Sequence, residues 1–150
     1  MIRDTITQAY TTAMKGGNKP RTGTIRLIQA AIKNRDIEAR TGKSPDDDDV
    51  LVTEVLQKMV KQRRESIEMF VKGNRQELAD NEAAEVAVIE GFLPQQLSDD
   101  ETAAIIEGIK HEIGASSVKD MGRVMALLKE RHASSLDMSK ASAAVKAALG

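Results

Sequence analysis

Apolar residues recur three or four positions apart in stretch after stretch of this chain, the spacing that lays a stripe along one face of an α-helix. Ile2, Ile6, Ala9, Tyr10, Ala13 and Met14 give the first stripe, and Gly16-Gly17-Asn18 supplies the flexible positions that end it. Pro20 suits a first helical turn, and Ile25, Ile28 and Ile32 mark a second helix running to about Arg40. Residues 46–49 are all aspartate and predict a helix start, because carboxylates there face the positive end of the helix dipole. The third helix carries Val52, Leu56, Met59, Ile67 and Phe70 as far as Lys72, and Gly73 is its expected stop. Asn74 and Glu77 stand in N-cap and third-position relation, which predicts a fourth helix with Leu78, Ala83, Val86, Ile89 and Leu93 inward.

Phe92-Leu93-Pro94-Gln95-Gln96-Leu97 then breaks the pattern, since proline disfavours helical geometry in the residue before it. A new start follows at once in Ser98-Asp99-Asp100-Glu101, a capping-box sequence. Ile105, Ile109 and Ile113 stripe a fifth helix that ends at Gly114. Ser117 is placed to cap a sixth with Met121, Val124, Met125 and Leu128, and Met138, Ala141, Val145, Ala148 and Leu149 mark the last. The expected fold is all-α, with an N-terminal bundle of about four helices over residues 1–93 and a small three-helix domain over residues 94–150.

Composition adds exclusions. Hydrophobic residues make up 41% of the 150, enough for a core, and aromatics only 2%. There is no cysteine, so a disulfide framework, a thiolate metal site and a cysteine nucleophile are all ruled out. The first residues lack the basic-then-apolar layout of a signal peptide, and no apolar run nears the roughly 20 residues of a membrane span. A cytoplasmic location without membrane association is the expectation. With a formal net charge of −1, nucleic-acid binding would have to come from a local patch.

Catalytic chemistry finds little to work with. His111 and His132 both fall near helix ends, where histidine commonly meets solvent or the last carbonyls. Ser116 and Ser117 superficially resemble the paired serines of amide-cleaving enzymes, yet serines before a helix are ordinary caps. The four aspartates lack the central glycine and distal glutamate of a calcium loop. No catalytic residue, metal ligand or cofactor is therefore expected.

The cations are more informative. Between Arg21 and Lys43 six of them stand against two carboxylates, and between Leu51 and Arg75 six against three. Arg26, Lys33 and Arg40 recur every seven residues and lie along one line of the second helix, as Lys58, Lys61 and Arg64 do on the third. Those lines could face a polyanion; the competing reading is a solvated surface with local pairs such as Asp36 with Arg40. Arg63 falls near the seam of Met59 and Ile67 and reads as a partly buried ion-pairing residue. With so few aromatics to stack on bases, shape or backbone contact to folded RNA is the remaining mode.

Met59-Val60-Lys61-Gln62-Arg63-Arg64-Glu65-Ser66, Gly73-Asn74-Arg75-Gln76-Glu77-Leu78 and Phe92-Leu93-Pro94-Gln95-Gln96-Leu97-Ser98, in that order, resemble the GatB/YqeY family. Ile25 to Arg40, Gly114-Ala115-Ser116-Ser117 and Asp120-Met121-Gly122-Arg123-Val124-Met125 extend the likeness over nearly the whole chain. It departs most at Ala133-Ser134-Ser135-Leu136, where many relatives place a glycine and a basic or small residue. The resemblance implies a C-terminal part similar to the tail domain of the GatB subunit of the glutamine-dependent amidotransferase that acts on mischarged tRNA. It also implies a partner in tRNA or a tRNA-handling enzyme. A label of carbon-nitrogen ligase with glutamine as amido-N-donor comes with the family, although the domains that perform that chemistry are not among these residues. Carried over by position, it nominates Lys61, Arg63, Arg64, Arg75, Lys119 and Arg123 as RNA contacts beside Arg26, Lys33 and Arg40. A protein adaptor that binds no nucleic acid is the competing expectation.

Overall fold

The computed structural model describes residues 1–150, apart from the side chain of Ser139. Seven α-helices and one 3₁₀ turn account for the regular structure, with no strand among the described residues, so the all-α reading holds. The chain divides into two compact units, Met1–Leu93 and Pro94–Gly150.

The first unit holds α1 (Ile2–Lys15), α2 (Lys19–Ala39), α3 (Asp48–Lys72) and α4 (Gln76–Glu90). Each boundary has a local cause. Gly17 takes φ +70° and closes α1, the conformation for which glycine carries no steric penalty. The Asn18 side chain accepts from the Arg21 amide and caps α2, with Pro20 in its first turn. Asp47 caps α3 by accepting from the Asp49 amide. Gly73 ends α3 as expected, serving as its C-cap at φ −85°, and the left-handed residue is the next one, Asn74 at φ +59°. What differs from expectation is the start of α4, whose N-cap is Arg75 rather than Asn74 and has no side-chain cap.

Ile6, Ile25, Ile28, Leu56 and Ile89 are fully buried at the centre of this unit, joined by Val52, Met59, Val86 and Phe92. Ala83 faces solvent, and the buried small residue of α4 is Ala79. The pair α3 and α4 has the most extensive packing. At one end, the Arg3 guanidinium binds the carboxylates of Asp36 on α2 and Asp48 on α3 at 2.8–3.1 Å. The Ile2 amide donates to Asp49 at 2.9 Å. Two of the four clustered aspartates therefore tie α1 to α3, and Asp47 serves as the cap. The run read from sequence as a helix start thus also supplies contacts between helices.

Arg3 holds the carboxyls of both Asp36 and Asp48 below their ordinary range, chiefly through its side-chain hydrogen bonds. A depressed folded-state pKa means a contribution that is complete above the unfolded value and lost as pH falls through the folded one. Wild-type protein is accordingly expected to lose thermal stability below about pH 4. Arg3→Ala should be less stable by about 1 kcal/mol at pH 7, the two carboxylates being partly exposed. Melts at pH 7 and pH 3 should show that gap narrow in acid; a constant gap would detach it from these carboxylates.

The second unit holds α5 (Asp99–Ile113), a 3₁₀ turn (Val118–Asp120), α6 (Met121–His132) and α7 (Met138–Leu149). The capping box forms in full: Ser98 Oγ accepts from the Glu101 amide and Glu101 accepts from the Ser98 amide, each at 3.1 Å. Gly114 at φ +67° ends α5. Ile106, Ile109, Val124, Leu128, Leu136, Ala141 and Val145 form the core. Ile106 is buried deeper than Ile105 or Ile113, which sit at its edge.

The approach to α6 corrects a second expectation, because Ser117 makes no side-chain cap. The bond runs the other way: the Asp120 carboxylate accepts from the Ser116 amide at 3.0 Å, which lowers its pKa. Residues 133–136, where the family pattern is broken, include no left-handed position among the described residues, so a glycine is not needed there. Their carbonyls are used instead. Ser134 accepts from Gln96 and Ser135 from the Leu97 amide, which ties residues 94–97 to the bundle.

Candidate nucleic-acid interface

The nine cations nominated from sequence sit on different elements and fall into two kinds. Arg63 is structural. Its side chain is only 15% exposed, donates to Glu85 of α4 at 2.8 Å and also reaches the Met59 carbonyl. Arg64, next along α3, pairs with Glu90 at the far end of α4. Both contacts join α3 to α4, that of Arg63 largely buried and that of Arg64 at the surface. Arg75 lies 3.4 Å from Glu77, and Arg123 braces the turn after α5 by donating to the Ile113 carbonyl at 2.9 Å and to Asp120 at 3.1 Å. Lys61 is exposed on α3.

Arg26, Lys33 and Arg40 behave differently. All three are exposed along one line of α2, and Arg40 keeps helical backbone as its C-cap. Arg26 is held by a neutral partner: its Nε donates to the Tyr10 hydroxyl at 3.1 Å, and its guanidinium lies 5.7 Å from the Tyr10 ring centre. That contact fixes the side chain without cancelling its charge. The expected local pair of Asp36 with Arg40 gives way to the contact with Arg3, and Arg40 acts on Asp36 only through space. On the second unit Lys119 is exposed at the 3₁₀ turn.

Two residues of this surface went unread in the sequence. Leu27 is 48% exposed and Ile37 50%, both on the outward side of α2. Their signal was present, since both lie off the Ile25, Ile28, Ile32 stripe, but only the placement of α1, α3 and α4 on the opposite side shows them uncovered.

Among the described residues no group of three or more histidines and carboxylates could hold a metal ion. No helix is long and apolar enough to cross a membrane. His111 and Ser116 are exposed, and His132 and Ser117 partly so, on separate turns of the second unit. Ser116 contributes its amide to the Asp120 contact.

Fold and division together define a two-unit, all-α protein. Residues 3–149 match the family model described as Yqey-like protein, and the chain belongs to this YqeY-like family. It is 34% identical over 134 residues to a protein of Pyrenophora tritici-repentis named "Altered inheritance of mitochondria protein 41, mitochondrial", a match covering 85% of this chain and 71% of the relative. Proteins of the same name in Lachancea thermotolerans and Eremothecium gossypii are 37% identical over 83 residues and 31% over 124. Those matches cover 55% and 74% of this chain, and 43% and 66% of the relatives.

These names correct the expectation of a cytoplasmic location, because the relatives are mitochondrial proteins. The physical ground for that expectation was too narrow. The lack of a secretory layout in the first residues and of a membrane-length apolar run does not separate the cytosol from an organelle interior.

Proposed function

We propose that this chain is a non-catalytic docking module that attaches to a tRNA-handling enzyme of the glutamine-dependent amidotransferase type. The observation that carries the reading is the outer face of α2, where Leu27 and Ile37 stand half-exposed beside Arg26, Lys33 and Arg40. Large aliphatic side chains grouped with cations on an uncovered helix face mark a contact surface. The likeness of residues 94–150 to the tail domain of the GatB subunit supplies the kind of enzyme. The names of the relatives favour a mitochondrial setting for it. No amide-transfer step is assigned to the chain, and its family label is read as inherited from that tail.

A second reading is direct contact with tRNA, favoured by the charge that Arg26, Lys33, Arg40 and Lys119 retain. Phosphate contacts would give an affinity that falls steeply with salt. Crosslinking in cells separates the two readings. Recovery of a tRNA-handling enzyme in stoichiometric amount is the expected result. Recovery of RNA with no protein would end the docking reading, and the second would then require salt-sensitive tRNA binding that Arg26→Glu with Lys33→Glu abolishes.

A further inference from the structure

Positions 27, 30, 34 and 37 of α2 alternate three and four residues apart, and they are Leu27, Ala30, Asn34 and Ile37, all exposed. This is the spacing of a coiled-coil seam, in which the first and fourth positions of each heptad face a partner helix. Arg26, Lys33 and Arg40 each fall one residue before a first position, in the flanking row whose charges choose the partner. The fully buried Ile25 and Ile28, with Ile32, occupy the opposite side of the helix and are satisfied by the unit's own core. α2 is therefore apolar on two faces, and only one of them is covered within the unit.

We propose that this second face docks an amphipathic helix of a partner protein, one whose apolar seam is flanked by carboxylates at heptad spacing. The inference rests on the docking reading above and names the chemistry of its partner. Charge selects the occupant. An antiparallel second copy would set Arg26, Lys33 and Arg40 against the same cations, and a parallel one would offer them only Ala31 and Glu38 on the other flank. An RNA backbone could use the cations but has no use for Leu27 and Ile37 between them. An acidic helix uses both rows. Asn34 within the seam adds a preference for a hydrogen-bonding residue opposite, as a single buried asparagine does in setting helix register.

The test uses the full chain and two synthetic helical peptides with identical Leu and Ile seams, one flanked throughout by Glu and the other by Lys. Titration is expected to show binding of the Glu peptide, at least tenfold weaker to Leu27→Ser with Ile37→Ser and to Arg26→Glu with Lys33→Glu. The Lys peptide should not bind at the same concentrations. All four side chains are exposed and only Arg26 gives up a surface contact, that with Tyr10, so each variant should stay folded with a melting temperature close to wild type, which is measured alongside. Failure of the Glu peptide to bind, or binding that ignores both pairs of substitutions, overturns the proposal. So does equal binding of the Lys peptide, or a dimer of the chain that Leu27→Ser dissolves. Failure here alongside recovery of a stoichiometric enzyme in cells would remove the acidic-helix partner and leave docking to that enzyme standing.

Discussion

Leu128→Ala should destabilise the Pro94–Gly150 unit by about 2–5 kcal/mol, the range for truncating a buried leucine. Leu128 is fully buried between α5 and α7, where Ile106, Ile109, Ala141 and Val145 are the other core residues. A domain of this size buries only about 60% of the surface its unfolded chain exposes, so its total stability is a few kcal/mol and the loss is comparable to the whole. The expected result is therefore loss of the α5–α7 amide signals in a two-dimensional NMR spectrum while those of α1–α4 persist. The division into two units is itself a proposal about folding, and this variant examines it. Simultaneous loss of both sets of signals would mean that the units fold as one.

The stripes that placed the helices were legible because they are local. Ile25, Ile28 and Ile32 announce a buried face without reference to any other part of the chain, and they are buried. The Ser98–Glu101 box forms for the same reason, its partners being three residues apart. What failed was the choice among neighbours of similar aptitude. Asn74 was the expected N-cap of α4, but it takes left-handed backbone and Arg75 stands at the N-cap. Ser117 was the expected cap before α6, but neither it nor Asp120 caps by its side chain, and the Asp120 carboxylate instead accepts from the Ser116 amide upstream.

The fate of each cation was not legible, because it depends on helix register. Arg63 meets Glu85 and Arg64 meets Glu90, partners 22 and 26 residues away that are set only when α3 and α4 pack. Asp36 had a cation four residues away on its own helix and is bound by Arg3, 33 residues distant. Arg63 and Arg64 on α3 thus meet carboxylates of α4, while Arg26, Lys33 and Arg40 on α2 stay exposed. The sequence spacing was equally regular in both.

Arg63 and Arg64 adjoin in the chain, and the structure gives them unlike roles with unlike expected costs. Arg63→Ala should destabilise the Met1–Leu93 unit by about 2–3 kcal/mol, because it strips the seam of its aliphatic stem and leaves Glu85, only 31% exposed, without its cation. Arg64→Ala, at 57% exposure and facing a similarly exposed Glu90, should change stability by about 0.5 kcal/mol or less. Glu85→Ala in the Arg63→Ala background should cost less than the separate losses combined, since the second substitution removes the stranded carboxylate. Urea melts of wild type, the three single variants and the double variant measure all of this. If Arg63→Ala melts like wild type and instead weakens partner or tRNA binding, Arg63 belongs to the working surface, and the structural role assigned to it here is wrong.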